Sequence, residues 1–209
     1  MTLHEETFGK DYFENGVSTR VSGYTNYHWR PEYVLPLANW IKMKFGEDRT
    51  YLDYGCAKGF LVKALHMLNC EAYGYDVSEY AIANCEPEVK EYCTSDPIKF
   101  PQHCDVFIMK DVLEHIPEDE LFLHLEIARE AGYVIAIIPL GDNNQFRIRE
   151  YELDVTHVTK KDEVWWVNKF NEAGLVLDEF YYSIDGIKDN WTKNFPYGNG
   201  IFIFKRKSE

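Results

Sequence analysis

The period of the apolar positions switches repeatedly along this chain. Short β-branched or aromatic runs alternate with segments whose apolar residues recur at helical spacing, the pattern of a parallel sheet covered by helices. Residues 50–54 read as the first buried strand, 55–59 as a tight turn and 60–68 as a helix. A second strand, 71–76, ends at Asp76, and Ser78 is placed to cap a short helix. A weak strand near 89–93 and a loop over 95–101 follow. Strand four is 105–109, then come helical segments at 111–116 and 118–130, and strand five is 133–138. Residues 139–159 are irregular and polar, a long excursion for a compact domain, and such loops often carry function. An amphipathic helix over 160–173 meets Gly174, which suits the position just past a helix end. Strands at 175–184 and 201–205 close the chain with no helix between them, so the last strand should run antiparallel. The expected fold class is therefore α/β, a mostly parallel sheet whose last strand is reversed.

The first 48 residues stand outside this alternation. They hold a predicted helix over 32–45 and an aromatic stretch, Tyr24, Tyr27, His28 and Trp29. The expected organisation is a cap or lid over 1–48 on a domain over 49–209, one structural domain in all.

Composition narrows the partners. At 209 residues the chain is long enough for one well-buried core and short for two. A formal net charge of −13 repels phosphate backbones, which lowers DNA, RNA and anionic membranes as partners. The five cysteines are odd in number and lack a C-x-x-C pair, which argues against a disulfide framework and a zinc site. Neither a secretory leader nor a membrane-length apolar run is visible, so a reduced, cytoplasmic protein is expected.

Chemistry concentrates where the first strand turns into its helix. In an open α/β sheet, ligands bind at the carboxyl ends of the strands. Gly55 and Gly59 bare the backbone at that point. The spacing is neither G-x-G-x-x-G nor G-K-[ST], so both phosphate-binding readings fail. Asp53 would repel a pyrophosphate but suits a cationic ligand, and Asp76 is placed to accept hydrogen bonds from ribose hydroxyls.

The run Asp53-x-Gly55-x-Ala57-x-Gly59 resembles motif I of class I S-adenosylmethionine-dependent methyltransferases, with Ala57 where a glycine is common. Three further segments resemble that family in order. Thr94-Ser95-Asp96 with Pro101 is similar to the loop beside the adenine. The stretch from Cys104 to Ile116 is similar to the "D-V-L-E-H-I" segment of the small-molecule branch, the type 11/23-like methyltransferases. Asp154-Val155-Thr156-His157-Val158, with Phe170 to Leu175, is similar to that branch's "D-x-T-H" loop, helix and "A-G-F/L" turn. Together they cover roughly residues 50–205. The resemblance implies a Rossmann-like sheet of seven strands with helices on both faces and an N-terminal helical cap. It implies S-adenosylmethionine as cofactor, with Asp53, Gly55, Cys56, Ala57, Gly59, Asp76, Val77, Ser95, Asp96, Lys110, Asp111 and Val112 around it.

On the acceptor side the residues leave alternatives. Asp111 and His115 would share one helix face, with His115 as a base or orienting group, or else Asp111 caps the helix and His115 packs. Lys110 either meets the cofactor carboxylate or points into solvent. His157 suits proton removal from a hydroxyl or amine, or belongs to a capping turn. Tyr24 and Tyr27 either fold over the cofactor as a water-excluding lid or pack the N-terminal helix. Arg147 and Arg149 would hold an anionic or sugar-like acceptor or face solvent, and Trp191 is a pocket candidate.

The expected chemistry is in-line methyl transfer to a small molecule, with an O-methyltransferase leading because Lys-Asp-Val-Leu replaces the Asn-Pro-Pro-Tyr type of strand-four segment. That chemistry needs no metal, and none is expected. The rival readings are N-methylation of a small amine, a non-catalytic S-adenosylmethionine-binding protein, and a nicotinamide-dependent oxidoreductase, which the glycine spacing opposes. A monomer or homodimer is expected.

Overall fold

The computed structural model describes residues 7–101 and 103–207. The expectation of no secretory leader, and the start of the expected cap, fall on residues 1–6 and lie outside the described residues. Two compact units are present. One comprises the chain up to Pro101 with Leu153–Thr156, the other the chain from there to Glu152 with His157 onward.

The first unit begins with two short helices, α1 (Lys10–Glu14) and α2 (Gly16–Thr19), and a longer one, α3 (Pro31–Phe45). Pro31 opens α3, where the missing N–H would be an orphan in any case, and Gly46 closes it at φ +96°. Strand β1 (Thr50–Tyr54) leads into α4 (Phe60–Met67), which buries Phe60, Leu61, Val62, Ala64 and Leu65. Strand β2 (Glu71–Tyr75) lies parallel to β1, with Asp53 opposite Gly74. Helix α5 (Glu79–Ala83) is capped as expected: the Ser78 hydroxyl accepts from the Ala81 N–H at 2.9 Å. The weak strand expected near 89–93 is instead a 3₁₀ turn, Pro87–Tyr92, followed by a two-residue strand β3 (Cys93–Thr94) parallel to β2. Pro87 favours that helical start and removes a donor a strand would need. Residues 153–156 join this unit through the Tyr12 hydroxyl, which donates to Asp154 Oδ2 at 3.0 Å, and the Val155 N–H, which donates to the Val21 carbonyl.

The second unit carries β4 (Val106–Lys110), α6 (Leu121–Ala128) and β5 (Tyr133–Pro139), with β4 and β5 parallel. The expected helix over 111–116 is absent. Asp111 takes a left-handed conformation (φ +55°), which interrupts an α-helix, and only a 3₁₀ turn, Leu113–His115, follows. The excursion after β5 is more ordered than its polarity suggests. It holds a ribbon, β6 (Gly141–Asp142) with β7 (Gln145–Phe146), and a 3₁₀ turn, Arg149–Leu153. Helix α7 (Glu163–Glu172) starts three residues later than expected because the Asp162 carboxylate accepts from the Trp165 N–H at 2.7 Å. Gly174, at φ +80°, lies just past its end as expected. Strands β8 (Leu175–Tyr181) and β9 (Asn199–Arg206) complete the chain, and a four-residue helix, α8 (Asp189–Thr192), lies between them where the sequence predicts none.

Strand β9 pairs antiparallel with both β5 and β8, so the last strand is reversed as the sequence implies. The strand order is β3-β2-β1-β4-β5-β9-β8. In the second unit Trp166, Phe170, Phe202 and Phe204 are wholly buried, and the Phe170 and Phe204 rings stack at 3.9 Å. Each such side chain contributes about 1.5–3 kcal/mol of burial free energy. Among the described residues no helix is long and apolar enough to cross a membrane.

Candidate active site

The turn after β1 is built by backbone conformation. Gly55 (φ +87°), Ala57 (φ +48°) and Gly59 (φ +74°) are all left-handed, so alternate residues bend the chain the same way. Two anchors hold the bend. The Gly55 and Cys56 N–H groups both donate to the Tyr75 carbonyl, at 2.7 and 3.0 Å. The Ala57 N–H donates to Asp76 Oδ2 at 2.7 Å, while the Ser78 N–H donates to Asp76 Oδ1 at 2.8 Å. Gly59 is required twice over, because a Cβ there would also lie 2.5 Å from Cys85 Sγ and 3.0 Å from Cys93 Sγ. The methyl of Ala57 packs with the aromatic cluster around Tyr12 and Phe13.

Asp53 and Asp76 are both buried, and burial pushes the Asp76 carboxyl up to about 6 although two N–H bonds favour its charged form. A carboxylate has about four lone-pair positions. Two of them hold N–H groups, so the sugar hydroxyls of S-adenosylmethionine fit the capacity that remains. Burial also pushes the Cys56 thiol up to about 12, so Cys56 is a small neutral packing group here. Val77 is exposed beside Asp76. Asp96 accepts from the Ile98 N–H at 3.0 Å and pairs with Lys99, and these hold its carboxyl below the usual range. Ser95 precedes it, half-buried.

The aromatic N-terminal segment belongs to the same unit. Tyr24 and Tyr27 pack at 4.7 Å, and Tyr27 stacks on Phe60, the first residue of α4, at 4.9 Å. Lys58, inside the turn, donates to Glu14 Oε1 at 2.5 Å and to the Tyr27 carbonyl at 2.7 Å. The segment is thus fastened to the turn by charge as well as by rings.

In the second unit, the ends of β4 and β9 and the segments after β4 and β5 assemble two polar groups. The first surrounds Lys188. Its ammonium donates to Asp111, to the Tyr151 hydroxyl at 3.1 Å and to Asn199 Oδ1 at 2.9 Å. Lys110 pairs with the other Asp111 oxygen at 2.5 Å. Burial opposes ionisation of Asp111, but the charges of Lys110 and Lys188 outweigh it and hold the carboxyl well below its usual range. Asp111 is therefore neither a helix cap nor on a helix face with His115. Lys110 is turned to Asp111.

The second group is Glu114, His115 and His157. One carboxylate oxygen and one nitrogen of each imidazole lie within 4.8 Å of one another, and the two rings are 4.6 Å apart. Backbone bonds bring the segments together. The Val158 and Thr159 N–H groups donate to the Glu114 carbonyl at 2.8 and 3.0 Å, and the Thr159 hydroxyl donates to the Ile116 carbonyl at 2.7 Å. His157 does not cap α7. Its Nδ1 lies 2.7 Å from the Tyr151 carbonyl, so Nδ1 carries the proton of that bond. Glu114 is wholly buried, and burial, with the charge of Asp111, pushes its carboxyl up to about 8. Sequence reasoning passed over Glu114; its signal was the Glu-His pair after strand four with a second histidine in the loop after strand five. An aromatic wall continues from His157 to Phe146 (5.3 Å) and Tyr151 (5.9 Å), and from Tyr151 to Trp191 (5.6 Å). Val112 begins the segment, half-buried.

Arg147 does not present its charge to an acceptor. It holds both Asp142 oxygens (2.7 and 3.0 Å), Glu163 Oε2 (2.8 Å) and the Tyr197 carbonyl (3.0 Å). Those four bonds occupy most of a guanidinium's five donors and make it a brace of the ribbon. Arg149 is exposed at the start of the 3₁₀ turn.

Residues 52–130 match the sequence model of a family described as a methyltransferase domain. No curated protein sequence matches the chain. Solved structures do. An S-adenosylmethionine-dependent methyltransferase from Archaeoglobus fulgidus is 16% identical over 83% of this chain and 93% of its own, with a TM-score of 0.64. The 1,6-didemethyltoxoflavin-N1-methyltransferase of Burkholderia thailandensis is 11% identical over 85% and 80%, at 0.62. The mitomycin 7-O-methyltransferase MmcR is 15% identical over 82% of this chain but only 53% of its own, at 0.61. Residues 52–130, which include the Gly55–Gly59 turn, are thus similar in sequence to a methyltransferase domain, and most of the chain shares the fold of S-adenosylmethionine-dependent methyltransferases.

Proposed function

We propose that this protein methylates a hydroxyl group of a small organic molecule. Bound S-adenosylmethionine supplies a methyl group already activated on a positively charged sulfur. The chain's own part is to bind, orient and handle a proton. The Gly55–Gly59 turn with Asp53 and Asp76 seats the cofactor, and the Ser95–Asp96 loop belongs to its surroundings. Tyr24 and Tyr27 serve as a lid that excludes water, a role supported by the bond from Lys58 to the Tyr27 carbonyl and by the packing of Tyr24 on Tyr27.

One observation carries the choice of a hydroxyl: two imidazoles, His115 and His157, stand together at the end of an aromatic wall. A hydroxyl must lose its proton as the new bond forms, and an imidazole suits that task. An amine needs less help. The rings of Phe146, Tyr151 and Trp191 favour a flat, apolar acceptor, and Arg149 is left as the exposed cation of that loop. The net charge of −13 supports a metabolite over nucleic acid or a membrane, and the five unpaired cysteines fit a reducing cytoplasm.

Labelled methyl transfer from the cofactor to a panel of phenols, hydroxy acids and amines tests the reading. Label should appear on hydroxyl acceptors. Transfer to amines alone would move the reading to N-methylation, and cofactor binding without transfer to any acceptor would make this a binding protein.

A further inference from the structure

We propose that Glu114, His115 and His157 form a binding site for one divalent transition-metal ion. The first ground is geometric: a carboxylate oxygen and two imidazole nitrogens lie within 4.8 Å of one another, close enough that small side-chain rotations bring all three to bonding distance of one ion. The second is an unmet demand. Glu114 is wholly buried, and neither of its carboxylate oxygens meets a hydrogen-bond donor among the described residues. Buried carboxyl groups are normally paired, hydrogen-bonded or bound to metal. The Lys188 ammonium does not answer that demand, because it gives its bonds to Asp111, Tyr151 and Asn199.

The surroundings fit as well. The Nδ1–H of His157 donates to the Tyr151 carbonyl, which is how metal-binding histidines are commonly oriented, with the other nitrogen toward the ion. The three side chains come from a turn and a loop that the bonds of Val158 and Thr159 to the Glu114 carbonyl hold together. The site is thus organised before an ion arrives. Two nitrogens and one carboxylate select Zn²⁺, Mn²⁺, Fe²⁺ or Co²⁺ over Ca²⁺ or Mg²⁺, which prefer oxygen. Three protein ligands leave positions for water or for an acceptor's oxygen. This use, though not the existence of the site, rests on the proposed function. With an ion in place the histidines are ligands, and a coordinated hydroxyl loses its proton to water with its electron pair kept on oxygen.

The test needs no turnover. Full-length protein is stripped with a chelator, titrated with Co²⁺ and followed by visible absorption, while Zn²⁺ and Mn²⁺ retention is measured by elemental analysis after gel filtration. The wild type should take up one ion per chain with bands of nitrogen and oxygen coordination. His157→Ala and His115→Ala should each weaken binding by at least about tenfold, and the double variant should abolish it. Circular dichroism establishes that each variant is folded. Glu114→Gln should behave likewise if it folds, and the histidine variants decide the matter if it does not. Folded wild type that retains none of the three ions overturns the site, as does a folded double variant that still retains one. If the trio binds an ion but no hydroxyl is ever methylated, the proposed function falls and the site stands.

Discussion

In the turn after β1 the geometry is a property of backbone: three left-handed residues within five positions, with N–H groups tied to the Tyr75 carbonyl and the Asp76 carboxylate. Around Glu114 it is a property of side chains, from a 3₁₀ turn and a distant loop, held by bonds to one carbonyl. The first arrangement tolerates little change in residue type, because handedness and the space at Cβ are fixed. The second tolerates much change in the backbone between its parts and little in the three side chains. A cofactor common to a family suits the first and an acceptor peculiar to one member suits the second.

The largest separation of the two regions should come from His157→Ala. Turnover with a hydroxyl acceptor should fall by about 10²- to 10⁴-fold, while calorimetric affinity for S-adenosylhomocysteine holds. Loss of cofactor affinity in that variant would mean that the regions do not act separately. Asp76→Ala should do the reverse. It strands the N–H groups of Ala57 and Ser78, at about 1–3 kcal/mol of stability, visible in thermal melts. It should also remove most of the cofactor affinity.

Acidity probes the same carboxyl. The Asp76 carboxyl of the folded chain is raised from 3.8 to about 6. The folded protein therefore holds this proton more tightly than the unfolded one. The stability this contributes is complete below about pH 4 and is lost as the pH rises through 6. Ribose hydroxyls require the ionised form, so affinity for S-adenosylhomocysteine should fall about tenfold per pH unit below 6. A flat profile between pH 7 and pH 5 would show that Asp76 does not grip the sugar. Asp76→Asn should flatten it by design.

The smallest effects sharpen the contrast within the turn. Gly59→Ala should cost about 1–2 kcal/mol for handedness alone, with the approach to Cys85 and Cys93 added. Ala57→Gly should gain up to about 1 kcal/mol, since it relieves a left-handed alanine. Equal losses at the two positions in denaturant unfolding would refute this account.

Much of the first region was legible in advance. Gly55, Gly59 and Asp76 announce themselves because backbone freedom and the end of a strand are local properties. Ser78 as a cap, Gly174 past a helix and the reversed last strand were legible for the same reason. Glu114 was not. The periodicity predicts a helix over 111–116 that pairs Asp111 with His115, but the left-handed Asp111, bonded to two lysines, interrupts it. Arg147 looked like an acceptor ligand, yet Asp142 and Glu163 claim it.

The sequence by itself determined the alternation of strands and helices, the bend after the first strand and the carboxylate beside it, because apolar period and glycine placement act over a few residues. Only the tertiary structure decided which charged side chains neutralise one another and which meet across loops. Those pairings depend on burial and on hydrogen bonds between segments far apart in the chain, such as Val158 and Thr159 with Glu114, and no local spacing encodes them.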